Sequence, residues 1–317
     1  MRTRIITTII MGFLSVAMYA QQDPAFSMYF FNPLYYNPGY AGSRELFSGT
    51  LVHRSQWIRM PGAPTSQSLS MHSRLPDSRI GLGLQAHNDV VGPMKSTSVG
   101  LTFAYHLPLS EKAQLSFGIT GSMTNIRIAF NDITIEDQND PSFVGNASAK
   151  WVPDASAGLY LYMPRFYAGL SSVHLIQSDF NTTNVEGANL AQFYRQYYLT
   201  SGVVIPVSDN VDFRPSILMK YVHAAPVVGE LDAAFIFKER LFLGAGFRTG
   251  KRIDMKGTDN MLIGLIEFEI TNFLRAGYAY DFYLNRNGAY NSGTHEIMIG
   301  WDISGNGKTK VSSPRFF

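Results

Sequence analysis

The chain has 317 residues, of which 16% are charged and 13% are aromatic, whereas an average soluble domain has about a quarter charged residues. Because cysteine is absent, disulfides, thiol catalysis and cysteine-ligated zinc are excluded. Without Arg2 and Arg4, which an export signal would remove, 26 − 2 = 24 basic residues face 24 acidic ones. A net charge of zero without a basic run gives no support to nucleic acid binding.

The first predicted element is an export signal over residues 1–20. Arg2 and Arg4 supply the positive start, Ile5 to Met18 form the apolar stretch, and Ala20 ends the cleavage site. A single membrane anchor is the alternative, but the apolar run is short for one. No cysteine follows the signal, which excludes a lipoprotein anchor. No later stretch has the roughly 18 continuous apolar residues of a membrane helix.

The next predicted element, residues 21–44, shows neither a helical nor a strand period. Pro24, Pro33 and Pro38 prevent regular ladder pairing, and many aromatic rings would not stay exposed to water. We predict that it folds into the lumen of a barrel or against its periplasmic mouth, as a plug or a partner-binding motif. An adhesive, disordered leader is the alternative. The motif comprises Asp23, Pro24, Phe26, Tyr29, Asn32, Pro33, Asn37, Pro38, Tyr40 and Gly42, with Gln56 and Trp57 further on.

From residue 45 to residue 303 the dominant period is two, which is typical of strands with unlike faces. Val99, Leu101 and Phe103, for example, alternate with Gly100 and Thr102. The predicted strands lie near 45–58, 65–75, 79–89, 95–107, 112–125, 152–162, 165–173, 196–206, 210–222, 229–238, 240–249, 260–269, 272–284 and 293–303. An even number of apolar-faced strands predicts an all-β, transmembrane outer-membrane β-barrel of about 14 antiparallel strands.

The connections between these strands alternate in length. Tight ones fall at 76–78, 109–111, 163–164, 207–209, 238–240 and near 271, and longer ones at 59–64, 90–94, 127–151, 174–195, 223–228, 250–259 and 285–292. Short periplasmic turns opposite long external loops are expected of an outer-membrane barrel, whereas a soluble β-sandwich has no reason to separate loop lengths. Residues 21–44 and a tail, 304–317, are then both periplasmic.

If the apolar face meets lipid, the charged residues of the other face point into the barrel. These lumen charges are Asp212, Arg214, Lys220, Asp232, Arg248, Glu267, Glu269, Arg275 and Asp281. Glu296 and Asp302 fall on the polar side of the last strand. Because both signs occur, we favour a lumen filled by paired charges and a plug over an ion-selective channel.

The sequence offers no recognisable catalytic or metal-binding constellation. The seven histidines are scattered, and there is no GxSxG elbow or phosphate loop. Gly81 and Gly83 lie within a strand, where glycine permits curvature and close packing. We therefore expect no enzyme, no cofactor and no metal; a Ser/His site assembled across strands is the remote alternative.

Several motifs carry a resemblance to a known family. They include Gln22-Asp23-Pro24, Asn32-Pro33-Leu34, Asn37-Pro38-Gly39-Tyr40-Ala41-Gly42, Arg54-Ser55-Gln56-Trp57, Asn88-Asp89-Val90-Val91-Gly92-Pro93 and Ser313-Pro314-Arg315-Phe316-Phe317. In these the chain resembles the PorP/SprF outer-membrane proteins of the type IX secretion system and gliding machinery of Bacteroidetes.

The resemblance implies a barrel in the cell outer membrane, in contact with its lipid. Such a barrel would assist secretion or surface anchoring of large adhesin-type cargo through the cargo's C-terminal domain, and would contact periplasmic secretion-system components. Pro314, Arg315, Phe316 and Phe317 form an aromatic hook, either for a partner or as a barrel-assembly signal. The alternative function is a porin or transporter for small solutes.

Overall fold

The computed structural model describes residues 23–44, 46–129, 150–178, 192–223, 225–251, 258–284 and 292–303. The predicted signal, 1–20, and the tail, 304–317, lie outside these residues. The strand segments are β1 (Phe47–Ser55), β2 (Thr65–Arg74), β3 (Ile80–Val91), β4 (Met94–Pro108), β5 (Gln114–Ile128), β6 (Lys150–Met163), β7 (Phe166–Val173), β8 (Gln196–Val203), β9 (Ile205–Ser208), β10 (Val211–Val222), β11 (Val227–Phe237), β12 (Leu241–Lys251), β13 (Thr258–Thr271), β14 (Leu274–Tyr283) and β15 (Thr294–Ile303).

The strands form one closed antiparallel ring. Each wall strand pairs with its sequence neighbours, and β1 pairs with β15 from Phe47 opposite Ile303 to Ser55 opposite His295. Only Val204 separates β8 from β9, and both pair with β10, so they form one wall strand. Counted in this way, the ring has 14 strands, and the predicted barrel is confirmed.

Side chains alternate across the wall, with apolar groups outside. On β4, Leu101 is 68% and Phe103 44% exposed, whereas Thr102 and His106 are buried. The exposed stripe on β4 runs from Val99 past Leu101 and Phe103 to position 107, over nine residues or eight steps. At about 3.3 Å per residue and a tilt of about 40°, it spans roughly 20 Å, close to the ~25 Å apolar band of an outer-membrane barrel. Among the described residues, no helix is long and apolar enough to cross a bilayer.

Connection lengths differ between the two rims, with two exceptions to the prediction: the β3–β4 connection and the β10–β11 connection, 223–226, are as short as the tight turns. At the tight-turn rim the connections have two to five residues, and the longest connections, 129–149 and 174–195, lie at the opposite, long-connection rim. The loop predicted at 90–94 is wrong, because β3 continues to Val91 and β4 starts at Met94. Gly92 makes this two-residue turn possible with a φ of +54°, which favours glycine.

The N-terminal segment, residues 23–44, lies in the barrel interior and forms no strand. It contains a 3₁₀ turn (Tyr29–Phe31), the one-turn helix α1 (Pro33–Tyr36) and a second 3₁₀ turn (Pro38–Tyr40). Pro33 and Pro38 each begin a turn, where the missing N–H leaves no hydrogen bond unmade. Its Arg44 end meets Asp302 at the tight-turn rim, at 3.1 Å, and its Asp23 end meets His174, just beyond β7, at the long-connection rim.

Candidate functional site

Five charged side chains from five strands meet in the interior; we call Arg54, Glu230, Arg248, Asp281 and Glu296 the central charge cluster. The Arg54 guanidinium lies 2.6 Å from Asp281 Oδ2 and 2.9 Å from Glu296 Oε2. Arg248 Nε lies 2.6 Å from Glu230 Oε2. All five side chains are buried, and buried charges require both pairing and hydrogen bonds. With three acids against two cations, the cluster needs further donors.

The N-terminal segment supplies these donors. The backbone N–H groups of Ser27 and Met28 donate to the two carboxylate oxygens of Glu296, at 2.9 and 2.8 Å. The Ser27 hydroxyl donates to Asp281 Oδ1 at 2.6 Å. Arg248 in turn donates to two backbone carbonyls just upstream of Ser27, both at 3.2 Å. The segment therefore supplies partners to Arg54, Arg248, Asp281 and Glu296, whereas Arg54 Nε and Glu230 Oε1 have no hydrogen-bond partner among the described residues.

Aromatic side chains of the segment pack against rings that point inward from the wall. The ring centroid of Phe30 lies 5.3 Å from that of Phe242, and the Arg214 guanidinium carbon lies 4.7 Å from the Phe30 centroid. Near the tight-turn rim, the rings of Tyr40 and Tyr160 meet edge to face at 5.3 Å. A buried aromatic ring removes about 150–250 Å² from water, so apolar packing adds to the hydrogen bonds that hold the segment.

Glycines of the wall allow the segment's backbone to approach closely. A Cβ at Gly118 would overlap the backbone of Pro38, and a Cβ at Gly81 would overlap the carbonyl of Ala41. On the next strand, β6, the Leu159 carbonyl accepts a hydrogen bond from Asn37 Nδ2 at 2.8 Å. Close packing at Gly81 was expected from the sequence, and the segment is what packs there.

An ion pair holds the segment at the long-connection rim. His174 Nε2 lies 2.7 Å from Asp23 Oδ2, and its Nδ1 lies 2.5 Å from Asp154 Oδ2. Burial by itself lowers the pKa of His174, but the two carboxylates outweigh burial and raise this pKa to about 10. Burial likewise opposes ionisation of Asp23, and His174 outweighs it, lowering the pKa of Asp23 to about 2. His174 is therefore charged at neutral pH and donates to both carboxylates.

A cavity of about 150 Å³, lined by both polar and apolar side chains, lies beside this ion pair. Ser98, Thr124 and Gln196 line it from the wall, and Asp23 and Tyr35 line it from the segment. Pockets for drug-sized ligands start at about 300 Å³. The cavity has room for water or a small molecule, and none for a polypeptide domain.

The structure divides the predicted plug or partner-binding motif. Ten of its twelve residues, from Asp23 to Gly42, lie in the N-terminal segment. Gln56 and Trp57 lie instead in the connection between β1 and β2, where the Trp57 N–H donates to Thr294 Oγ1 at 3.3 Å. These two residues belong to the long-connection rim and stand apart from the rest. The hook, 314–317, lies outside the described residues.

The predicted lumen charges occupy the inner faces of β10–β14. Seven are buried there: Arg214, Lys220, Asp232, Arg248, Glu267, Arg275 and Asp281. Asp212 and Glu269 are half-buried on the same faces, near the tight-turn rim.

Sequence reasoning missed Arg54, Glu230, Asp154 and His174. The period of two could have placed Arg54, because it shares a face of β1 with the buried Thr50. The partners could not be found in this way, since only closure of the ring brings β1 beside β15. His174 lies beyond the end of β7, where the strand period no longer applies.

The interior side chains bind the backbone of the N-terminal segment and pair with one another. The described residues show no arrangement of side chains for a reaction. Among them, no three His, Asp or Glu side chains are grouped to hold a metal ion. Both nitrogens of His174 are taken by Asp23 and Asp154, so this imidazole does not activate a hydroxyl nucleophile.

Solved outer-membrane proteins share the barrel. The CymD monoaromatic hydrocarbon channel is 12% identical at a TM-score of 0.50, with 81% of this chain and 87% of that chain covered. A Pseudomonas aeruginosa FadL homologue is 11% identical at 0.47, covering 89% and 95%. Omp33 of Acinetobacter baumannii is 9% identical at 0.45, covering 82% and 100%. Such identities show the fold alone. No curated protein matches the chain.

A family model, type IX secretion system membrane protein PorP/SprF, matches residues 18–301, nearly the whole length. Together with the barrel, it places the protein in the outer membrane. Neither the family nor the fold is a known class of enzyme. The chain belongs to the PorP/SprF family of type IX secretion system membrane proteins.

Proposed function

We propose that the protein is a non-enzymatic outer-membrane barrel that assists type IX secretion or surface anchoring of large, adhesin-type cargo. Membership of a secretion-system family supports this role. In this proposal the long-connection rim meets the cargo, including its C-terminal domain. The tight-turn rim and the tail, 304–317, meet periplasmic components of the machinery.

The observation that carries the proposal is the occupied interior of the barrel. Glu296 receives two backbone donors from the N-terminal segment, and Gly118 leaves just enough space for Pro38. An interior bound to the chain's own residues is poorly suited to solute diffusion. We therefore propose that residues 21–44 are a plug and that the barrel acts as a scaffold for partners. Because the segment is buried, periplasmic contacts are assigned to the tail.

Single-channel conductance tests the plug. Deleting Asp23–Tyr40 should open a steady pore in planar bilayers, whereas the intact protein should stay closed. Deleting residues 305–313, a piece outside the segment that leaves Pro314–Phe317 in place, is the control and should also leave it closed. If the first deletion changed neither conductance nor stability, the plug would be wrong; solute-dependent conductance of the intact protein would favour the porin.

Cargo display tests the secretion role. A mild-detergent pull-down of the intact barrel should recover a large secreted protein together with periplasmic machinery. Truncating residues 314–317 should leave membrane insertion unchanged and reduce recovery of the periplasmic components. If insertion itself fell, the tail would be an assembly signal. Recovery of the barrel alone, with normal surface display of cargo in a deletion strain, would contradict the role in secretion.

A further inference from the structure

On the outer face of β1–β5, the strand register shows where the apolar belt ends. One cross-strand row is apolar and contains Leu51, Leu69, Ala86, Val99 and Met123. The next outward-facing row towards the long-connection rim is polar and contains His53, Gln67, Asn88, Thr97 and Asn125. Hydrogen bonds of 3.2, 2.7 and 2.9 Å join its first four side chains in that order. The hydrocarbon edge therefore lies between these rows.

One further row outward, two cations stand side by side. Lys95 on β4 is directly opposite Arg127 on β5, and both are exposed. They share the outward faces of Val99 and Met123 on the same strands. Like charges directly opposite each other destabilise a sheet. Among the described residues no carboxylate forms an ion pair with either cation, and a bound anion would relieve their mutual repulsion.

The depth of this pair identifies the kind of anion. Successive outward-facing rows are about 5 Å apart along the barrel axis, so Lys95 and Arg127 start about 10 Å beyond the last apolar row. Their long side chains can reach back towards the membrane, whose head-group layer is about 5–7 Å thick on each side. Trp151, opposite Asn125 and 59% exposed, marks the same interface, where tryptophan is enriched.

We propose that Lys95 and Arg127 bind the phosphate of a lipid head group in the outer leaflet, with Thr97 and Asn125 forming the polar floor of the site. Two cations at adjacent positions suit a phosphate, because each can donate to a different oxygen. Long connections face outward in outer-membrane barrels, so this rim faces the outer leaflet. The site would hold a lipid molecule against the β4–β5 side of the barrel.

Native mass spectrometry of the detergent-solubilised barrel, titrated with diphosphoryl lipid A, tests the site. Lys95→Gln combined with Arg127→Gln should weaken binding about 25-fold, a factor of about five for each cation. Lys112→Gln combined with Arg165→Gln removes two exposed charges at the tight-turn rim and should stay within twofold of the wild type. Lys95→Arg keeps the charge and should retain binding. Heat-modifiable gel migration checks that each variant is folded.

Two further titrations identify the ligand. Lipid A without its phosphates should bind the wild type as weakly as the Lys95→Gln/Arg127→Gln variant binds the phosphorylated form. Inorganic phosphate at equal concentration should not compete. The proposal is overturned if that variant binds like the wild type, if the phosphate-free lipid binds equally well, or if free phosphate displaces the lipid, which would mean a soluble-anion site.

Discussion

Ser27 is the residue through which the N-terminal segment is joined to four strands. Its hydroxyl accepts from Arg54 at 3.0 Å and from Arg248 at 3.1 Å and donates to Asp281, while its N–H donates to Glu296. Hydrogen bonds to charged groups contribute about 1.5–3 kcal/mol each. Strand periodicity places Asp281 and Glu296 on polar faces. Their meeting with Arg54, 227 and 242 residues away in the chain, follows only from the closed ring.

Gly118→Ala tests the close approach of wall and segment. The added methyl would overlap the backbone of Pro38, and such overpacking costs about 1–3 kcal/mol. We expect a lower urea midpoint of unfolding in detergent and faster proteolysis within residues 23–44. Gly121→Ala, three positions along β5, meets nothing within 4 Å and is the control. Equal behaviour of the two variants would show that the segment does not press on this wall.

His174 gives the anchoring of the segment a pH dependence whose sign follows from linkage. Its pKa rises from 6.5 to about 10 on folding, so its stabilisation is complete below about pH 6.5 and is lost as pH rises through 10. The pKa of Asp23 falls from 3.8 to about 2, so its stabilisation holds above pH 3.8 and is lost as pH falls through 2.

The His174→Gln variant should therefore be less stable than the wild type between about pH 4 and pH 6.5, and this difference should shrink as pH approaches 10. Urea midpoints measured across this range check it. His53→Gln, at the outer surface, should give a curve parallel to that of the wild type. A His174→Gln deficit that stayed constant up to pH 10 would contradict the ion pair.

At the scale of elements, the strands are predictable because one face meets lipid, while their ends depend on turns. The hairpin of β3 and β4 extends past the apolar belt because Asn88 and Thr97 hydrogen-bond across it at 2.9 Å. Beyond the apolar belt both faces of this hairpin carry polar residues, so its sequence resembles that of a loop. The strand breaks at Val204, whose N–H donates to the Arg165 carbonyl at 2.8 Å. The sequence does not predict this break, because nothing in the local pattern of polar and apolar residues signals it.

The turn between β11 and β12 contains removable backbone strain. Lys238 and Glu239 have φ values of +49° and +56°, which suit the twist of a tight hairpin but cost about 1 kcal/mol for a residue with a Cβ. Glu239→Gly should raise the free energy of unfolding by about 0.5–1 kcal/mol, measured by urea unfolding in detergent. Glu111→Gly, in a tight turn without positive φ at that residue, should be neutral or destabilising. Stabilisation by both would point to a charge effect.

At the scale of the whole molecule, the barrel places apolar side chains outside and polar ones inside. Ring closure was predictable, because fourteen apolar-faced strands joined by alternating short and long connections are typical of a closed outer-membrane barrel. The position of the N-terminal segment was only partly predictable. Its aromatic rings indicate that it is buried. Because it has no periodic pattern, the sequence does not show which wall residues it contacts. The fit to Gly81 and Gly118 on β3 and β5 therefore emerges only in three dimensions.

The orientation of the barrel can be tested because the chain has no cysteine. Met60 lies in the β1–β2 connection and is 39% exposed, and Lys112 is exposed in the β4–β5 turn at the opposite rim. A membrane-impermeant maleimide should label Met60→Cys on intact cells, and Lys112→Cys only after the outer membrane is permeabilised. The cysteine-free wild type gives the background. Labelling of Lys112→Cys on intact cells would invert the barrel and move the proposed cargo contacts to the tight-turn rim.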